Sequence, residues 1–149
     1  MTKNNPDGAI DYGILPDLLG YKVRLTQIEI FRDFVESLTE FDLTPTKFGT
    51  LLIIEANPGI KQKDLASALQ IDRSTAVPLI DGLEKQGYVA RIRLDNDRRT
   101  NALHLTKQGV GFLKKTKPLV LAHENRLLAR LTNNEQAQLF KLLDKVASG

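Results

Sequence analysis

From Leu18 onward the apolar residues recur at spacings of three and four, through Tyr21, Leu25, Ile28, Phe31, Val35 and Leu38, with a second stripe of Leu19, Val23, Ile30 and Phe34 beside them. That period predicts one long helix opening near Pro16. At 1.5 Å per residue it runs about 35 Å, long for a single small domain to cover from one side. Either it is a central core helix, or it is buried partly against a second copy of the chain. The polar stretch before it, Met1 to Gly13 with Pro6 and Gly8, reads as a loose arm.

Leu43-Thr44-Pro45-Thr46-Lys47-Phe48 predicts a helix start: Thr44 caps, Pro45 takes the first turn, and Leu43 staples to Phe48. Phe48, Leu51 and Leu52 point inward, and Asn57-Pro58-Gly59 ends the element. A short helix over about Gln62 to Leu69 turns Leu65, Ala68 and Leu69 inward. After Gln70-Ile71-Asp72 another begins, with Ala76, Leu79, Ile80 and Leu83 on one apolar face and Gln86-Gly87 at its end. Two short helices joined so tightly form a helix-turn-helix. Tyr88 to Leu94 and Thr100 to Leu105 then alternate as strands around Asp95-Asn96-Asp97, which makes a hairpin with Arg98 and Arg99 at its tip. Helix-turn-helix followed directly by a basic hairpin is a winged helix.

Thr106 caps a long helix to about Arg130, bent at Pro118, and Thr132-Asn133-Asn134-Glu135 is a capping box for a last helix bearing Leu139, Leu142, Leu143 and Val146. The flanking helices carry more Leu, Ile and Val than a winged helix needs for its own packing, so dimerisation through both ends of the chain is expected. The fold class is therefore mainly α with a small β-wing. Residues 1–42 form an arm and dimerisation helix, 43–106 the winged helix-turn-helix and 107–149 the C-terminal dimerisation helices, all within one intertwined domain.

Composition narrows the chemistry. The 149 residues are 42% hydrophobic and 26% charged, one domain's worth of chain with material for a core. There is no Cys, which excludes disulfide scaffolds, Cys-based zinc sites and thiol sensing. Met1 to Gly20 lacks a basic start with an unbroken apolar stretch, and no apolar run approaches the roughly 18 residues that span a bilayer, so a cytoplasmic protein is expected. The net charge of +3 is unevenly spread: Lys85, Arg91, Arg93, Arg98, Arg99 and Lys107 against Asp95 and Asp97 give a local +4 on a near-neutral body. A phosphate-contacting arm has that distribution.

The outer face of the second helix of the pair holds Arg73, Ser74, Val77, Pro78, Asp81 and Lys85. A major groove about 12 Å wide admits one helix. Arg73 suits guanine, Ser74 and Thr75 suit bases or phosphates, and Val77 with Pro78 suits thymine methyls. Pro78 lies inside that helix, and with Asp72 as cap its ring opposes the carbonyl of Ser74, which predicts a bend or loosened turn there. Gly82 weakens the same helix further. At the wing tip an arginine can enter a narrow minor groove, with Asp97 holding Arg99 in place.

Asp97-x-Arg99-Thr100-x-x-Leu103-x-Leu105-Thr106, with Arg73-Ser74-Thr75 and Leu79-Ile80-Asp81-x-Leu83-Glu84-Lys85-x-Gly87, resembles the multiple antibiotic resistance regulator (MarR) family, closely over about Leu43 to Gly109. The resemblance implies a homodimeric winged-helix transcription regulator on a pseudo-palindromic double-stranded operator, commonly a repressor released by a small aromatic or phenolic ligand. Two positions depart from the family pattern. Lys61 stands where many members carry a capping Ser or Thr before Gln62, and still suits a phosphate; Pro78 replaces a polar base reader. By the same resemblance an effector lies between the first helix, the helix after Pro45 and the long helix after Thr106, lined by Tyr21, Arg24, Leu25, Ile28, Phe48, Leu52, Phe112 and His123. Arg24 or His123 would pair with a carboxylate. Aromatic acids or their coenzyme A thioesters are the expected class; the competing reading makes the apolar members plain core.

No catalytic residues, metal or cofactor are expected: His104 and His123 lie in different elements, and Asp64 and Asp81 read as solvated or helix-terminal charges. The alternative class is a winged helix used for protein contact, which needs neither the basic segment nor the tip arginines.

Overall fold

The turn Leu15–Asp17 is a single turn of 3-10 helix and Leu18 behind it is extended, so the first long helix, α1, spans Leu19–Ser37 and starts later than its apolar spacing predicts. The computed structural model describes residues 10–94 and 97–148, with the backbone alone at 94 and 97–100. A 3-10 turn over Thr39–Phe41 closes on Asp42, whose φ of 48° is left-handed and whose carboxylate takes Lys47 Nζ at 2.8 Å. Thr44 then accepts the Lys47 amide and opens α2, Pro45–Ala56, with Leu43 buried in the same cluster that Phe48 packs against.

The strand β1, Ile60–Lys61, leads into α3, Gln62–Ala68. Asp72 caps α4, Arg73–Lys85, which continues as helix through Pro78. The hairpin strands are β2, Val89–Leu94, and β3, Asp97–Leu105. Thr106 opens α5, Lys107–Leu128, which likewise continues through Pro118, and the Thr132–Glu135 capping box opens α6, Asn133–Ala147.

Three expectations change. β3 begins at Asp97 and not at Thr100, because Asp97 pairs with Leu94 across a register shift after Arg93. The sheet is three-stranded, in the order β1-β3-β2, since Ile60 and Lys61 pair with Leu103 and Ala102. On α3 the buried partner of Leu65 is Ala66, while Ala68 is exposed: the two alanines flank the Leu65–Leu69 line on opposite sides, and the side of Ala66 is the one turned inward.

Two apolar clusters result. Leu51, Ile54, Leu65, Ile80, Leu83, Val89, Leu103 and Leu113 gather α2 to α5 and the sheet into one core. Phe34, Leu38, Leu43 and Val120 join α1 to α5 in a second. Phe48 and Phe112 pack against both. α6 has no buried residue, and Phe140, Leu142 and Val146 on it are exposed. Within the described residues no helix is long and apolar enough to cross a membrane.

Candidate nucleic-acid interface

The interface begins at a carboxylate. Asp72 Oδ1 accepts the Ser74 hydroxyl at 2.6 Å and the Thr75 amide at 2.7 Å. These bonds, that of Ser74 foremost, hold the Asp72 carboxyl below the usual carboxylate range. The cap thus fixes the first turn of α4 and orients Ser74 with its proton already committed. Arg73, Ser74, Thr75 and Pro78 are exposed along this turn and the next, Val77 is half-buried beside them, and Lys85 is exposed in the last turn.

Beside α4 lies a cleft of about 720 Å³, walled by the starts of α3 and α4 and floored by the sheet. Lys61, Gln62, Arg73 and Val77, all expected from the sequence to meet DNA, line it together. Lys61 is the N-cap residue of α3; its ammonium, a donor only, cannot accept the amides there, and no side-chain cap bond forms. Lys63, Ser67, Arg91 and Asn101 also line the cleft and were not expected there. The signal for Arg91 was available: Asp81 and Glu84 stand three apart on the outer face of α4, opposite a strand arginine. Arg91 Nη2 lies 2.5 Å from Asp81 Oδ1 and Nη1 donates to Glu84. Asp81 is therefore an ion-pair partner, not the solvated charge that its position on an outer face predicts. The side chains of Asp97, Arg98 and Arg99, and the proposed hold of Asp97 on Arg99, lie outside the described residues.

The wing base is seated on α5. Thr106 Oγ1 donates to the Gly87 carbonyl at 2.5 Å, the Thr106 amide donates to that of Tyr88 at 3.0 Å, and the Tyr88 ring stacks on Phe112 with centroids 4.3 Å apart. Gly109 makes this approach possible, since a Cβ there would lie 2.1 Å from the Tyr88 carbonyl oxygen.

Of the predicted effector-lining residues, the structure brings only some together. Phe48 and Phe112 each pack against both clusters, Leu52 packs on the larger one, and His123 is buried with its ring edge-on to Phe34 at 5.3 Å. Tyr21 is half-buried and pairs with Tyr12, whereas Arg24, Leu25 and Ile28 are exposed on the outer surface of α1. Ile28 lines an open groove of about 600 Å³ with Phe31 and Val35. His123, expected to meet an effector carboxylate, already has one: its Nδ1 is 2.7 Å from Asp33 Oδ2, which also accepts Arg126 Nη2 at 2.8 Å. Bonding from Arg126 first, then from His123, lowers the Asp33 carboxyl.

A model of the MarR family matches residues 43–100. A protein described as a transcriptional regulator for the hcr operon of Thauera aromatica is 35% identical over 144 residues, which cover 96% of this chain and 87% of that protein. Among solved structures, the transcriptional repressor CouR bound to a 23-mer DNA duplex superposes with a TM-score of 0.87 at 36% identity, over 94% of this chain and 99% of that one. CouR bound to p-coumaroyl-CoA superposes with 0.86 at 34% identity, over 93% and 98%.

Proposed function

The chain belongs to the MarR family of transcriptional regulators, and from that premise we propose that it is a homodimeric repressor that binds a pseudo-palindromic operator in the cytoplasm and leaves it when an aromatic acid or its coenzyme A thioester binds. The observation that carries the reading is the exposed first half of α4 beside the cleft bearing Lys61, Lys63 and Arg73. A helix offered to a groove with cations along its flank meets both needs of duplex recognition, base edges and phosphates.

Two further features support the parts of this reading. α6 has no covered face within one chain, and Val23, Ile30 and Phe31 are exposed on α1. A second copy packed through residues 1–42 and 107–149 would bury both surfaces and present two copies of α4. For the effector, support comes from the likeness to CouR, solved with p-coumaroyl-CoA. Phe48 and Phe112 pack against both apolar clusters, and Phe48 and His123 contact the Phe34 ring of the α1 cluster, so an aryl group beside them would act on both clusters.

The test is operator mapping beside the protein's own gene, followed by a panel of aromatic acids and thioesters assayed for release of that DNA. Duplex binding that weakens steeply with salt, and release by a panel member, are expected. Failure to bind any duplex would favour the protein-contact module, and release by metals or unrelated metabolites alone would remove the proposed effector class.

A further inference from the structure

Arg91 belongs by sequence to the basic segment of the wing, yet its charge is not free for a phosphate. Its side chain is only 18% exposed, and its guanidinium is divided between Asp81 and Glu84 on α4. A planar guanidinium with separate donors for two carboxylates fixes direction as well as distance, which a lysine cannot do. β2 leaves α4 through Gly87, whose φ of 79° turns the chain sharply. Four residues on, Arg91 ties the strand back to the helix. A bonded turn at one point and a strut at a second define an angle.

We propose that Arg91 is a positioning residue for DNA recognition: with Asp81 and Glu84 it sets the angle between the wing and α4, and so the spacing between major-groove and minor-groove contacts. The inference rests on the duplex-binding reading above. Its mark is a loss of discrimination between sequences without a loss of counterion release, because every phosphate stays neutralised. A residue that itself neutralises a phosphate has the opposite mark: without it the slope of log affinity against log salt falls by about 0.9, for specific and unrelated DNA alike.

The probe is a duplex selected from random-sequence DNA on the wild-type protein, compared with a scrambled duplex of equal length and composition. Arg91→Lys and Arg91→Ala are each expected to reduce the ratio of selected to scrambled affinity by about tenfold or more, the scale of one mismatched base pair, with an unchanged salt slope. The double variant Asp81→Asn with Glu84→Gln keeps Arg91 and supplies an arm that does not depend on its removal. Deleting two acids near a polyanion should strengthen binding by charge alone, whereas loss of the strut should weaken the selected duplex relative to the scrambled one. A salt slope reduced by about one in Arg91→Ala, with Arg91→Lys behaving as wild type, would overturn the proposal in favour of direct phosphate binding. An unchanged ratio in all three variants would overturn it in favour of a plain surface ion pair. If selection on the wild type recovers no duplex, it is the function proposed above that fails.

Discussion

His123 on α5 and Asp33 on α1 face each other across 2.7 Å, with the imidazole fully buried and the carboxylate also holding Arg126. With the anionic carboxylate accepting from Nδ1, the ring orientation is set, and Nε2 is left without a hydrogen-bond partner. Removing the ring in His123→Ala deletes this charge-assisted bond and the edge contact with Phe34, and leaves a void; a loss of about 2–4 kcal/mol is expected in urea unfolding at fixed protein concentration. Asp33→Asn, which keeps the shape, should cost less. Equal costs for the two would mean that packing contributes nothing here.

Acid should act through a few named carboxyls. Asp33, Asp42, Asp72 and Glu135 are all lowered from ordinary values of 3.8 for the aspartates and 4.5 for the glutamate, each chiefly by a hydrogen bond that its anion accepts. A group lowered on folding stabilises the native state fully above its unfolded pKa, and that contribution disappears as pH falls through the folded value. Stability at pH 7 should therefore persist to near pH 5 and decline below it. Asp72→Asn keeps a capping oxygen but removes one titration, and should flatten the acid limb of unfolding midpoints measured from pH 7 to 3.

Gly109→Ala tests the seat of the wing on α5. A Cβ 2.1 Å from the Tyr88 carbonyl oxygen forces backbone apart, and a loss of about 2–3 kcal/mol is expected. Gly111 faces open space two residues on, so Gly111→Ala should gain up to about 1 kcal/mol from helix propensity. Thermal melts of the pair decide it: similar shifts for both would contradict the close approach.

Pro78→Ala restores an amide opposite the Ser74 carbonyl within a helix otherwise unbroken from Arg73 to Lys85. The variant should be stabilised by about 1–3 kcal/mol, read as a higher urea midpoint with an unchanged slope. A destabilised variant would show that the ring itself is needed for packing.

Arg73→Ala and Arg99→Ala should each weaken binding to the selected duplex by at least about 1 kcal/mol, the scale of one good groove contact. Titration at physiological salt is the measurement, and unchanged affinity in Arg99→Ala would take the wing tip out of the mechanism.

The sequence revealed most of what depends on near neighbours. Thr44, Asp72, Thr106 and Thr132 cap as read, since a cap is decided within three residues. The helix order and the face of α4 bearing Ala76, Ile80 and Leu83 follow from a period the sequence displays directly. What it hid was set by distant partners. β1 is a two-residue strand, too short for any alternation, and exists only because β3 passes beside it. The tie of His123 to Asp33 joins residues ninety apart that no local pattern relates. The same holds for the candidate site: the exposed half of α4 was legible, whereas Lys63 and Asn101 entered the cleft through the fold.

The pairing of Ile60 and Lys61 with Leu103 and Ala102 has a mechanical outcome. A hairpin bonded on one side alone can swing like a flap from its root. Here the returning strand is laced along both margins at its base, so tilting the finger strains the entry of α3 as well as the tie of Arg91 to α4. In the proposed mode of binding, a push that reaches the end of α2 would pass through β1 to the helix-turn-helix and the wing together.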